Sequence, residues 1–241
     1  MRRYRGIDVS LYLRAFPLLA RHPQIMLAPF LAGLANIVLA TLMPGGTGFL
    51  AAANSGLAGL FSVLISSFGL GVAIIVADSV WRYGRAPFRD AWEQARRKGG
   101  DIIMSAFGVS FVIYMAGLVG SVVPVVGPIG LILVATYFMI YALPAASIGG
   151  VPGFASLQSS IDRARAAVLP SIIVTIAYIV VYDLGRSVFE MTVVPALIGR
   201  GPFTSELSFS VLDALVQAPF AAYVALVLAK TYDDVSYGRM R

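Results

Sequence analysis

Long apolar segments alternate along the chain with short stretches in which charged and apolar side chains recur at helical spacing. Six apolar segments have the length of membrane spans: about 25–43, 57–80, 102–123, 129–146, 169–189 and 207–229. At ~1.5 Å per residue, helices of ~18 to 24 residues cover a hydrocarbon core of ~30 Å, the longer ones with some tilt. Pro44-Gly45-Gly46 ends the first span. The apolar run from Ile102 to Ala146 is too long for one crossing, and Pro124 and Pro128 interrupt it, which predicts a hairpin.

Amphipathic stretches precede the first, third and fifth spans. The first, Asp8 to Arg21, contains Pro17, which predicts a kinked or shortened helix. In the second, Phe88, Ala91, Trp92 and Ala95 form one apolar stripe, and Glu93 stands one turn before Arg97. In the third, Phe154, Leu157, Ile161, Ala164 and Val168 recur every three or four residues opposite Asp162, Arg163 and Arg165. The predicted fold class is therefore all-α: one integral membrane domain over residues 1–241, with six transmembrane helices and three amphipathic helices on the cytoplasmic surface. A threefold grammar of surface helix, span, turn and span is visible. Ala15-Phe16 and Arg21 match Ala91-Trp92 and Arg97 in spacing, while the unit around Ile161 and Arg165 fits with a one-residue shift.

Charge orients this arrangement. Sixteen of the eighteen Lys and Arg residues fall in the N-terminal region, the central loop, the third amphipathic stretch and the tail, all on one side of the six-span layout. Such asymmetry predicts both termini in the cytoplasm of a bacterial inner membrane. The central loop alone holds Arg82, Arg85, Arg89, Arg96, Arg97 and Lys98. They suit either topology anchoring or recruitment of anionic lipid headgroups, since each cation near an anionic leaflet is worth about 1 kcal/mol.

Composition agrees. Only 12% of residues are charged and 59% are hydrophobic, against about 25% charged in a soluble domain. A net charge of +6 would suit nucleic acid, but the cations cluster beside apolar spans and none of the pattern requires that partner. Met1 to Arg5 is basic, yet no apolar core follows directly and no A-x-A site closes the first one, so the N-terminus is read as retained. With no cysteine and one histidine, His22, thiolate chemistry is excluded and histidine-based metal or triad chemistry has little to work with. No Walker loop, G-x-S-x-G or metal-ligand cluster is present, and no catalytic residue, metal or cofactor is expected.

Ionisable groups inside spans are costly and draw a functional hypothesis. Asp183, Arg186 and Glu190 can share one face of span five. Asp183 falls ~21 Å from the Leu169 end, and Asp213 on span six ~9 Å in from Leu207, near the same level. This intramembrane cluster reads either as an ion or headgroup site or as a buried pairing that pins span five to span six. Asn36 and Gln217, near the middle of spans one and six, suit interhelix hydrogen bonds or the lining of a pathway. Asp78, one turn before Arg82, is expected to pair with nearby arginines. Gly69-x-x-x-Ala73 and Gly117-x-x-x-Ser121 permit close helix contact, within one chain or between copies.

The stretch ALPAASIGGVPGFASLQSSIDRARAAVLPSIIV, residues 142–174, resembles the loop between spans four and five in bacterial proteins of the glycerophosphoryl diester phosphodiesterase membrane-domain-like class. There an apolar segment ends in Pro-Ala, a glycine-containing turn follows, and a helix of small, Leu, x, x, Ser, x, x, x, Arg form enters the next span; Ala155, Leu157, Ser160 and Arg163 to Arg165 approximate it. YGRAPFRDAWEQARRKGGDII and LLARHPQIMLAPFLAG look like the family's central loop and first span entry. The acidic residue the family often carries before the turn is replaced here by Ser147-Ile148-Gly149. The resemblance implies a six-helix inner-membrane protein, and no phosphodiesterase activity, because the catalytic domain of multidomain relatives is a separate soluble one. The Pro124 to Pro128 turn is similar to one in six-span sulfate-permease-like membrane proteins. The function expected is a non-catalytic membrane protein that binds lipid, or a membrane-protein partner or second copy, in envelope maintenance; the alternative is a small transporter or channel with its constriction at Asp183, Arg186 and Asp213.

Overall fold

The computed structural model describes residues 10–43, 49–122, 126–185, 187–188, 191 and 206–236. Among these there is no strand, and the order is α1 (Ser10–Arg21), a 3-10 turn (Pro23–Met26), α2 (Leu27–Leu42), α3 (Phe49–Tyr83), α4 (Phe88–Arg97), α5 (Gly99–Gly120), α6 (Val126–Met139), α7 (Ala142–Ser147), α8 (Ala155–Ala166), α9 (Val168–Tyr178) with a π-helical continuation (Ile179–Gly185), and α10 (Glu206–Ser236). Five helical segments are long and apolar enough to cross a membrane: Pro23–Leu42, Gly56–Tyr83, Gly99–Gly120, Gly127–Ser147 and Ser210–Ser236. Counting α8 with α9, which meet at 114°, makes six. This is a multi-pass membrane architecture, and among the described residues the breaks between helices are short.

The core is a pillar of two helices. Val72 to Ala77 of α3 and Ala221 to Ala229 of α10 are buried on every side, while α2, α5 and α7 pack around them. Small residues allow close contact. A Cβ on Gly69 would lie 2.6 Å from the Ala32 Cβ and 3.0 Å from the Ala28 carbonyl oxygen, so α2 and α3 touch backbone to backbone there. Gly117 faces Ile132 of α6, and both small-residue motifs therefore work within the chain.

Several boundaries differ from the expectation. Pro17 does not shorten α1, which runs to Arg21. α3 starts at Phe49, well before residue 57, because nothing after the glycines breaks a helix and Ala51 to Ala53 favour one. The fourth span is not continuous: Pro144 has no N–H to give the Ile140 carbonyl, and the helix opens at Ile140–Tyr141. Ser160 of α8 repairs the break by accepting the Tyr141 N–H at 3.0 Å and donating to the Phe138 carbonyl at 2.6 Å. The polar tail is helical as far as Ser236, with Thr231 buried, and Tyr232 and Asp233 buried against partners distant in sequence.

The bend between α8 and α9 falls at Ala167, within two residues of the expected boundary. Pro170 sits in the first turn of α9, where its missing N–H costs little. The Tyr137 hydroxyl caps the other side of the bend by donating to the Ala164 carbonyl at 2.9 Å. Burial also repeats along the chain. Ala15, Leu19, Ile25 and Ala28 are buried, and so are Ala91, Ala95, Ile102 and Ser105, and Ser160, Ala164, Ser171 and Val174. The steps are four, six, three in the first set and four, seven, three in the other two, so the threefold grammar extends to which side chains face inward.

Candidate functional site

Two features gather at the end of the bundle that carries α4, α8 and the close of α10. The first is a groove of about 500 Å³ between α2 and α3, almost wholly apolar. Its floor is Ala28, Ala32 and Gly69, small because the two helices touch there, and Ala35 lines it at an exposed position. Phe61 and Phe68 form one wall, and Trp92 of α4 closes the basic end. α4 can lie there because Ala91 and Ala95 are buried against the protein, leaving Trp92 at the groove. The indole meets Phe68 edge-on at 5.7 Å and stacks on Phe88 at 6.1 Å. Still, 38% of Trp92 stays exposed.

The six cations of the central loop do different things. Arg82 binds Asp78 at 2.8 Å and Asp233 at 3.0 Å, bridging α3 to the end of α10. The expected pairing of Asp78 is present, with a second acid the sequence did not suggest. Lys98 reaches inward to the Ser147 carbonyl at 3.0 Å. Arg89 lies 3.5 Å from Glu93 and is almost fully exposed. Among the described residues, Arg85, Arg96 and Arg97 make no ion pair or side-chain hydrogen bond and point out of the protein.

The second feature is a polar crevice of about 320 Å³ lined by Asp78, Trp81, Arg82, Lys230 and Asp233. Lys230 pairs with Asp234 at 2.7 Å, and the Trp81 N–H donates to the Leu226 carbonyl at 2.9 Å. Its charges are largely balanced in place. Beside it, the Arg163 guanidinium lies 4.7 Å over the Tyr232 ring and donates to Ser236 at 2.8 Å.

Hydroxyls to which the sequence assigned no contact bind α8 and α9 to their neighbours: Ser156 to Ser105 at 2.8 Å, Ser160 to the α6–α7 break, and Ser171 of α9 to the Tyr141 hydroxyl at 3.1 Å. The signal available was spacing, since Ser156, Ser160 and Ala164 follow one another at one-turn steps and leave a small, polar stripe. Asp101 at the start of α5 holds the turn by accepting the Gly153 N–H at 3.0 Å. These groups are satisfied, and their work is structural.

At the level of the predicted intramembrane cluster, Asp213 accepts a hydrogen bond from Gln217 on its own helix, so Gln217 does not reach across helices through that amide nitrogen. Asn36 does: its Nδ2 donates to Ser66 of α3 at 2.9 Å, while its Oδ1 is buried with no partner among the described residues. The side chain of Asp183, and Arg186 and Glu190 altogether, lie outside the described residues. Asp183 itself falls in the π-helical stretch that follows α9. No group of three metal-binding side chains occurs among the described residues.

On the flank, Phe16 of α1 packs against Tyr223 with ring centres 4.6 Å apart, and the Tyr223 hydroxyl donates to the Tyr12 carbonyl at 3.2 Å. Burial, and then the nearby Tyr223, push the Tyr12 phenol up to about 12. Comparison with family models, curated proteins and solved structures finds no match to this chain.

Proposed function

We propose that the protein is a non-catalytic inner-membrane protein of six spans, with both termini in the cytoplasm, that acts in the envelope by binding anionic lipid along its basic face. The observation that carries the reading is the division of labour among the central cations. Arg82 and Lys98 serve the protein, whereas Arg85, Arg96 and Arg97 make no ion pair or side-chain hydrogen bond among the described residues, beside a tryptophan that opens onto an apolar groove. Cations that only fixed topology would not need such a neighbour. The likeness of residues 142–174 to the phosphodiesterase membrane-domain-like class supports the same six-span layout, and it carries no catalysis to this chain.

Lipid analysis of the purified protein tests the reading: anionic phospholipid should be enriched several-fold over its share of the membrane extract. Retention in proportion to the membrane discards it. Reporter fusions at Arg241 and near Thr47 should fall on opposite sides, and a shared side sinks the six-span layout. A second reading, a small transporter with its constriction near Asp183, Arg186 and Asp213, is favoured by the buried Oδ1 of Asn36, which has no partner among the described residues. It requires flux through reconstituted vesicles.

A further inference from the structure

We infer that the groove between α2 and α3 is a fixed site for one anionic phospholipid, an acyl chain lying against Phe61 and Phe68 and the phosphate resting on Arg96 and Arg89. The inference rests on the lipid-binding reading and narrows it to one place. Annular lipid touches any apolar face, so the case depends on shape and charge together. The floor is recessed because Ala28, Ala32 and Gly69 bring two backbones into contact, and the space left is about 500 Å³. From Phe61 to Phe68 the groove covers about 10 Å along the helix, a third of a ~30 Å hydrocarbon core. Trp92 closes it at the basic end, where a headgroup begins.

Arg89 and Arg96 stand one turn before and one turn after Trp92, on its side of α4. Arg96 makes no ion pair or side-chain hydrogen bond among the described residues, and Arg89 meets only Glu93 at 3.5 Å, with its side chain almost wholly in the open. A phosphate at the mouth meets positive charge there, and an anionic headgroup keeps that attraction where a zwitterionic one largely cancels it. A second copy of the chain is a poorer occupant. A symmetric contact through this groove would set one α4, with its arginines, against another.

The test uses the full chain in phosphatidylcholine vesicles doped with brominated phosphatidylglycerol or brominated phosphatidylcholine, which quench indole fluorescence on contact. Trp81→Phe is carried in every sample, so that the fluorescence signal belongs to Trp92, the other of the two tryptophans. The Trp92 signal should be quenched by the anionic probe at several-fold lower content than by the neutral one. Arg96→Gln should cut that preference about fivefold and leave quenching by the neutral probe alone. Ala35→Phe, at an exposed position on the groove, should fill it and lower quenching by both probes with the helical circular dichroism unchanged. Equal quenching by the two probes, or a preference that survives both substitutions, overturns the site. If anionic lipid is still enriched in the purified protein, the broader reading stands without this site; if it is not, both fall. A dimer in native mass spectrometry that Ala35→Phe dissociates would replace the lipid with a second copy and overturn the inference as well.

Discussion

The two halves of α3 belong to different environments although they form one helix. Val72 to Ala77 are enclosed by protein, whereas Leu57, Phe61 and Val63 are exposed. α10 shows the same contrast, with Ala221 to Ala229 buried and Val211 and Leu215 outward. The basic end is where the polar chemistry collects as well: the Arg82 bridge, the Ser160 repair and the Tyr232 stack all lie there. In lipid, apolar burial brings little gain, so helices are held by close packing and by hydrogen bonds that lipid cannot offer. The basic end has both, and the other end of α3 has few of either among the described residues.

Equal substitutions should therefore act unequally at the two ends. The largest effect is expected for Gly149→Ala. A Cβ there would lie 2.7 Å from the Ala145 carbonyl oxygen and collide with the Tyr232 hydroxyl. The buried Tyr232 cannot retreat without moving α7 from α10, and the loss should be about 3 kcal/mol or more, read as an earlier thermal transition in detergent. Gly59→Ala, on the open half of α3 with nothing within 4 Å of a new Cβ, should leave stability unchanged or raise it by up to about 1 kcal/mol. Comparable losses for the pair would dissolve the distinction.

Ser160→Ala comes next. It leaves a buried Tyr141 N–H and the Phe138 carbonyl without their partner, a cost of about 1–3 kcal/mol. Asn36→Ala removes the bond to Ser66 on the other side of the contrast and should cost nearer about 0.6 kcal/mol. A chemical denaturation series in which Asn36 outweighs Ser160 would reverse the assignment of strength.

An effect absent at neutral pH concerns α1. With its pKa raised to about 12, the Tyr12 phenol stays neutral in the folded protein after an unfolded one, with its pKa near 10, has ionised. Below about pH 10 both states are neutral and the group adds no pH dependence; between about 10 and 12 the unfolded state releases its proton first and stability falls. Tyr12→Phe should flatten that decline and delay the rise in phenolate absorbance. An unchanged profile would mean the phenol is not sheltered by Tyr223 and its surroundings.

Much of this architecture could be read from residue order, for reasons that are local. The α4 stripe needed only Phe88, Ala91, Trp92 and Ala95, and the helix begins at Phe88 and ends one residue short of Lys98, as that spacing implies. The Asp78–Arg82 pair is one helical turn apart and was visible for the same reason. What escaped depends on residues far apart. Asp233 looked like part of a polar tail because Arg82 is 151 positions away, and the interruption at Ile140–Tyr141 became readable only once Ser160, on another helix, was seen to complete it. The groove was hidden too, since Trp92 and Phe68 each look like interfacial or core aromatics until Gly69 and Ala32 bring two backbones together beneath them.

The interruption between α6 and α7 also sets an order of events during synthesis. Ser160 is made nineteen residues after Tyr141, a delay of about 1–4 seconds at bacterial rates of ~5–20 residues per second. Until then the Tyr141 N–H and the Phe138 carbonyl have no Ser160 to meet, and an unpaired backbone group in hydrocarbon costs several kcal/mol. Before α8 is in place, those two groups can be satisfied only by water or by other polar partners, so the joint of α6 and α7 is completed later in the chain than either helix that it connects.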